Sequence, residues 1–390
     1  MTDLAITISN TNRTQRIAVS GVFFLQGLCF ASWASRISTI QEQLQWSHGL
    51  LGLVLLALPA GSLIGLVLAG WLVTRWGSRR VACGALIAYS GVLILIGWAA
   101  TAPLLALSLL LFGIAGNCTN IAMNTQAVAV ENRYGRKIMA SFHGLWSLAG
   151  FAAAGAGAWM IGRHIAPLSH FTGVSALIVA GLLLFQAGLV PDAPDSTETT
   201  PPFRRPNKAL LYLGLIAFCC MLCEGTLFDW SNIYFQKAVG APPAWVGAGY
   251  TAFMLTMATG RFLADRISHR LGVRRTLAWS GGLMTTGLAL AVALPNIPFA
   301  LAGFLLTGFG VSAVVPLVFS EPGRTTRETP GMALAAVSGI GFLGFLAGPP
   351  LVGFIAALAG LRCSFALVAL VGLCIPFLAV ANRTITPKPS

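Results

Sequence analysis

Charge is what this sequence has least of. Only 9% of its 390 residues are Asp, Glu, Lys or Arg, against roughly 25% in a soluble domain. A chain so poor in ionic groups cannot clothe a water-facing surface, which excludes an ordinary soluble globular protein. Acid is scarcer than base, with 11 Asp and Glu against 24 Lys and Arg. Metal-site patterns are missing too. Cys220 and Cys223 form a C-x-x-C, but no second Cys pair or nearby His completes a zinc site. The eight cysteines fall nearly all inside apolar runs, which argues against a disulfide framework and for small residues facing lipid or a neighbouring helix. Long polar stretches are absent apart from 191–207, so there is no room for a soluble catalytic or signalling domain. With no His/Glu cluster or Ser/Lys dyad inside the apolar runs, the sequence gives no support to a membrane enzyme, and no cofactor or metal is expected.

What is there is hydrophobicity, at 56% of residues. A spanning helix needs roughly 20 apolar residues at 1.5 Å rise each. Such runs occupy approximately 17–38, 50–73, 81–100, 103–130, 138–161 and 170–190. They resume at 208–235, 244–264, 276–294, 298–320, 331–358 and 362–382, making twelve. Barrel strands would be shorter, at about 10 residues, and strictly alternating. The polar first sixteen residues, with Arg13 and Arg16 ahead of the first run and no small-residue cleavage site after it, read as a retained signal-anchor helix.

The sign of the charge then orients the spans. With twelve spans and an inside N-terminus, twenty of the 24 Lys and Arg fall on the cytoplasmic side, while Arg36, Arg163, Lys237 and Arg362 remain outside. That asymmetry follows the positive-inside rule. It predicts a multi-pass protein of a bacterial inner membrane with both termini cytoplasmic, and it explains the net charge of +13 without nucleic acid. Residues 191–207, rich in Pro and Thr, read as a cytoplasmic linker between an N-terminal six-helix bundle (1–190) and a C-terminal one (208–390).

The halves echo each other at an offset near 190–200 residues. Leu148-Ala149-Gly150 with Gly155 recurs as Leu346-Ala347-Gly348 with Gly353, and Gly113 matches Gly308. Ser32-Trp33-Ala34-Ser35 resembles Asp229-Trp230-Ser231-Asn232. Thr74-Arg75, Gly77 and Arg79-Arg80 follow the second span, as Asp265-Arg266, Gly272 and Arg274-Arg275 follow the eighth. Duplicated six-helix bundles place a site near the midplane and predict alternating access. Glycines at small-x-x-x spacing, such as Gly61 and Gly65, allow close helix approach. Pro349-Pro350 should interrupt the eleventh helix.

On these residues the chain resembles the major facilitator superfamily over essentially its whole length. The basic loop running from Gly70 and Leu72 through Arg75 and Gly77 to Arg79-Arg80 is similar to that superfamily's signature. Glu224-Gly225 with Asp229-Trp230, Asn124 with Glu131, Phe142-His143-Gly144 and Gly348-Pro349-Pro350-Leu351 resemble its fucose-permease-like branch. The resemblance implies a twelve-helix, all-α membrane transporter of small molecules, often proton-coupled. It also implies inner gating roles for Arg75, Arg79, Asp265 and Arg266, with the Asp265 carboxylate near the start of the fifth helix, around Ile138–Ala140. Two positions depart from the pattern: Thr74 replaces the acid of the first inner loop, and Asn120 stands where relatives tend to carry a carboxylate.

Polar groups inside a span are costly and mark functional candidates. Asn117, Asn120 and Asn124 share one face of the fourth span, and His143, Trp146 and Ser147 one face of the fifth. Two readings stand: a cavity wall that hydrogen-bonds a polar solute, or interhelical glue. Gln26, Trp33, Trp230 and Asn232 complete the candidate substrate-binding set, although a Trp in that position also suits the interfacial aromatic belt. Glu224 and Asp229 are the intramembrane carboxylates. Glu224 reads either as the proton carrier, desolvated and without a partner, or as half of a permanent ion pair, and Arg36 with Asp229 is the candidate outer gate. The function this favours is a secondary active transporter of a small polar solute, a sugar or related metabolite, working as a monomer in the bilayer with protons as coupling ion. An efflux pump for amphipathic compounds or an uncoupled facilitator is the alternative.

Overall fold

A computed structural model of the chain describes residues 2–134, 138–191, 208–320 and 330–382, with side chains except those of 2–11, 140, 265, 320 and 330–335. The linker at 191–207 lies, beyond its first residue, outside the described residues, and so do Arg136, Lys137, Arg324, Arg327, Arg383 and Lys388.

All regular structure among the described residues is helical. The first half comprises α1 (Thr2–Ala34), α2 (Ile37–Leu44), α3 (His48–Leu55), α4 (Ala57–Trp76), α5 (Ser78–Trp98), α6 (Ala102–Tyr134), α7 (Met139–Gly162) and α8 (Pro167–Phe185). The second comprises α9 (Lys208–Lys237), α10 (Ala248–Leu271), α11 (Val273–Ala293), α12 (Ile297–Ser320), α13 (Pro330–Ala359) and α14 (Leu361–Ala381). Eleven helical stretches are long and apolar enough to cross a bilayer, with α1–α2 and α3–α4 each counted as one. The twelfth is α10. Its 24 residues have the length of a span, and it carries Arg261, Arg266 and Arg270. With α10, the described residues hold twelve helical stretches of membrane-spanning length, the number the sequence predicts.

The chain folds into two compact units. One is Met1–Arg36, Ala57–Met160 and His164–Glu198; the other is Ile37–Leu56, Ile161–Arg163 and Thr199–Ser390. The boundary does not follow the chain midpoint alone, because α2 and α3 pack inside the second unit, on α9 and α13 respectively.

Within each unit the same helix pairings recur. In the first, α6 packs on α4, α5 and α1, and α8 on α5 and α1. In the second, α12 packs on α10, α11 and α9, and α14 on α11 and α9. The sequence echoes land on equivalent packing points. A Cβ on Gly113 of α6 would strike the Leu58 carbonyl of α4, and one on Gly308 of α12 would strike the Phe253 carbonyl of α10. Gly77 and Gly272 begin α5 and α11 with φ of 83° and 80°, a left-handed backbone that a Cβ makes costly. α13 runs through Pro349 and Pro350 as one helix, and since neither proline has an N–H its ladder lacks two backbone donors there.

Candidate functional site

α9 is the helix around which the second unit is built. From Leu210 to Phe235 most of its side chains are buried, polar ones among them. Packing against α13, α14 and α12 surrounds it with helices and leaves little surface for lipid. A carboxylate there must find a partner or be held neutral.

Glu224 has found one. Its Oε1 lies 3.3 Å from Arg261 Nη2 on α10, with side-chain exposures of 6% for the Glu and 15% for the Arg. This corrects two expectations. Glu224 is not the unpaired carboxylate, and Arg261 is not a cytoplasmic loop residue but sits midway along α10. Asp229, one and a half turns further along α9, takes part in neither of the two ion pairs found among the described residues.

The same two helices carry buried donors. The indole Nε1 of Trp230 and the hydroxyl of Tyr250 on α10 are enclosed and have no hydrogen-bond partner. Tyr250 lies within electrostatic reach of both Asp229 and Glu224, and its ring meets Phe228 edge-on at 6.3 Å. Asn232 is buried one turn beyond Asp229. Trp230 is fully enclosed and packs near His48 of α3, with 6.0 Å between ring centres. It is no part of an interfacial belt. By contrast Tyr234 is anchored, its hydroxyl donating to Ala291 O at 2.8 Å.

The first unit carries a second polar region. Trp146 Nε1 on α7 donates to Gln26 Oε1 on α1, so two candidate substrate contacts satisfy each other. Asn117 Nδ2 donates to Ser62 O at 2.5 Å, tying α6 to α4. Asn124 Nδ2 donates back to Asn120 O at 2.8 Å and to Asn120 Oδ1 at 3.3 Å. The ring of His143 meets Phe23 edge-on at 5.3 Å. All three asparagines remain partly accessible. The stripe therefore ties α6 to α4 at Asn117 and bonds within itself at Asn120 and Asn124. Trp33 is buried with its Nε1 unpartnered, again away from any interfacial belt.

The expected gating residues fare differently. Arg36 is buried and its Nη2 donates to Ile165 O within its own unit, while Nε and Nη1 find no hydrogen-bond acceptor. It belongs to neither ion pair found among the described residues. The outer ion pair that exists joins Glu42 of α2 to Lys237 of α9 at 3.6 Å, both half exposed. Arg75 and Arg266 are exposed and Arg79 partly so. The side chain of Asp265 lies outside the described residues. The start of α7, where that carboxylate was expected, is capped by Glu131, whose Oε2 accepts from the N–H groups of Ile138 and Met139 at 2.7 and 2.8 Å. A carboxylate there meets the free amides and positive dipole end of a helix.

Sequence reasoning missed Tyr250, Arg261 and Glu131 in these roles. The available signal was the polarity of α10, which carries Arg261, Asp265, Arg266 and Arg270. Such a segment stays in a membrane protein only if its polar side is enclosed.

Comparison with known proteins agrees with this architecture. The family model described as Major Facilitator Superfamily matches residues 19–320 and 213–390. The chain is 33% identical to an uncharacterised MFS-type transporter of Yersinia pestis over 342 residues, covering 87% of this chain and 88% of that protein. It is 31% identical over 353 residues to the membrane protein MosC of Rhizobium meliloti, covering 88% and 84%. Among solved structures it is similar to a point mutant of the nucleoside transporter NupG, with a TM-score of 0.74 and 16% identity over 95% of this chain and all of that one. It is equally similar to a bacterial homologue of the human lysosomal transporter Spinster in an inward-facing, unoccupied conformation, with a TM-score of 0.74 and 13% identity over 96% and 98%. At such identities the solved structures speak for the fold alone. The chain is a multi-pass membrane transport protein and belongs to the major facilitator superfamily.

Proposed function

We propose that this protein is a secondary active transporter that moves a small polar solute, a sugar or related metabolite, across the bacterial inner membrane by alternating access, coupled to protons. The observation that carries this reading is the set of polar groups enclosed on α9 and α10: the Glu224–Arg261 pair, the unpaired Asp229, and the unpartnered donors of Trp230 and Tyr250. Enclosed donors and acceptors are expensive unless something bonds them. A solute rich in hydroxyl groups would satisfy indole and phenol donors alike while the aromatic rings cover its apolar faces.

The pairing also redistributes the roles. An acid held by an arginine stays ionised and exchanges protons poorly, whereas an enclosed acid without such a partner can load and release them. Asp229 thus takes the coupling role, and the Glu224–Arg261 pair binds solute or fixes α9 against α10. The fucose-permease-like motif that holds both acids supports the sugar reading. Both termini are assigned to the cytoplasm on the distribution of basic residues.

The test is flux into proteoliposomes with an imposed pH gradient, screened over sugars, amino acids, organic acids and cationic drugs. Accumulation of one polar solute, faster as the outside is made more acidic, is the expected result. Asp229→Asn should abolish accumulation and flatten the pH dependence while leaving counterflow exchange. Accumulation in Asp229→Asn with the wild-type pH profile would remove Asp229 from the coupling role.

A further inference from the structure

The first unit has a cavity that takes no part in the polar region described above. It is a cleft of about 650 Å³ whose walls come from α1, the end of α6, α7 and the end of α8. That volume lies in the range of small-molecule sites, roughly 300–1,000 Å³. Arg13 and Arg16 stand at its mouth, and Ile17, Phe24, Leu145 and Phe185 line it below. On α1, Arg13, Ile17, Gly21 and Phe24 follow helical spacing along one face, so that face changes from basic to apolar within about three turns. The absence of a side chain at Gly21 lets the Phe185 ring lie directly on the helix, and a Cβ there would collide with it.

The two guanidinium groups keep their charge for a ligand. Arg16 lies over the Tyr134 ring, 5.4 Å from its centre, a contact that orients a cation without neutralising it. Neither arginine belongs to an ion pair among the described residues. The acid at the end of α6, Glu131, is committed to the backbone N–H groups at the start of α7. Arg133 is committed to Gln15 at 2.7 Å. In the sequence the first apolar run begins at about residue 17, just past Arg13 and Arg16, and basic residues flanking a span suit the headgroup level of a bilayer. Ile17 is 53% exposed beside the mouth.

We propose that this cleft is a binding site for an anionic glycerophospholipid, with the phosphate held by Arg13 and Arg16 and an acyl chain lying along Ile17, Phe24, Leu145 and Phe185. The chemistry that selects the ligand is a phosphate-bearing anion. The apolar walls select its lipid form over a free phosphate, because a water-soluble anion gains nothing from them. Basic pockets between membrane helices suit such headgroups. The site is independent of the transported solute and of the coupling ion; the cytoplasmic assignment decides only which leaflet supplies the lipid.

The experiment uses the purified full chain in a neutral detergent. Retained lipid is counted by native mass spectrometry, and the thermal midpoint is followed during titration with phosphatidylglycerol, phosphatidylcholine, glycerol 3-phosphate or inorganic phosphate. Phosphatidylglycerol should be retained and should raise the midpoint, and the other three should not. Arg13→Gln and Arg16→Gln should each weaken retention about fivefold. Arg80→Gln, on exposed basic surface at the start of α5, should leave it unchanged. Leu145→Trp fills the cleft with both charges kept and should also abolish retention. If Arg16→Gln does not fold, Arg16→Lys keeps the charge and should retain the lipid. Equal losses in Arg80→Gln and Arg13→Gln would reduce the effect to diffuse surface charge and overturn the site. Tight binding of glycerol 3-phosphate alone would overturn the lipid assignment in favour of a soluble anion. Retention in Leu145→Trp equal to wild type would overturn the cleft as its location.

Discussion

The Glu224–Arg261 pair can be weighed by removing each partner and then both. At 3.3 Å and an effective dielectric of about 20, the attraction is on the order of 5 kcal/mol. The Arg261 side chain is 15% exposed, and desolvation of the two charges offsets much of this attraction. Breaking a buried pair by deleting one partner costs about 3–5 kcal/mol, chiefly because the other charge stays enclosed. The residual exposure of Arg261 sets the expectation at the lower end, about 3 kcal/mol for Glu224→Gln and for Arg261→Gln. The double replacement removes both charges and should cost less than the sum by about 2 kcal/mol or more. Unfolding of the purified protein in detergent, followed by intrinsic tryptophan fluorescence for all four members of the cycle, gives that coupling energy. Additivity within about 0.5 kcal/mol would refute the pairing as an energetic link between α9 and α10. The same cycle in proteoliposomes separates roles, since a purely structural pair should let the double replacement recover transport that either single one loses.

Two other predictions stand apart from the pair. A Cys introduced at Ser196 should resist membrane-impermeant thiol reagents in intact cells, and one at Pro242 should label; the reverse pattern would invert the topology. Glu131→Ala removes the acceptor for two helix-start amides and should cost about 1–2 kcal/mol. Glu131→Asp should recover part of this, and a stability unchanged in both would remove the cap from the balance of forces.

The sequence by itself determined the solvent, the class and the repeat. Lipid imposes one rule, that backbone polar groups be satisfied within the segment, and that rule is legible residue by residue as long apolar runs. The duplication was legible for a related reason. Gly113 with Gly308 and Gly77 with Gly272 answer backbone requirements, close approach and positive φ, that no other residue meets as well. The tertiary structure alone decided who partners whom. Glu224 reads as a lone acid because its partner lies 37 positions away on α10, at a residue whose place near a basic loop suggested the cytoplasm. Gln26 and Trp146 read as solute contacts because nothing local reveals that α1 and α7 bring them together. Likewise, nothing local reveals that Glu131 reaches past the turn to accept from the N–H groups of Ile138 and Met139. Spacing along a helix shows which side chains share a face, but partners across helices depend on packing, and packing depends on the whole chain at once.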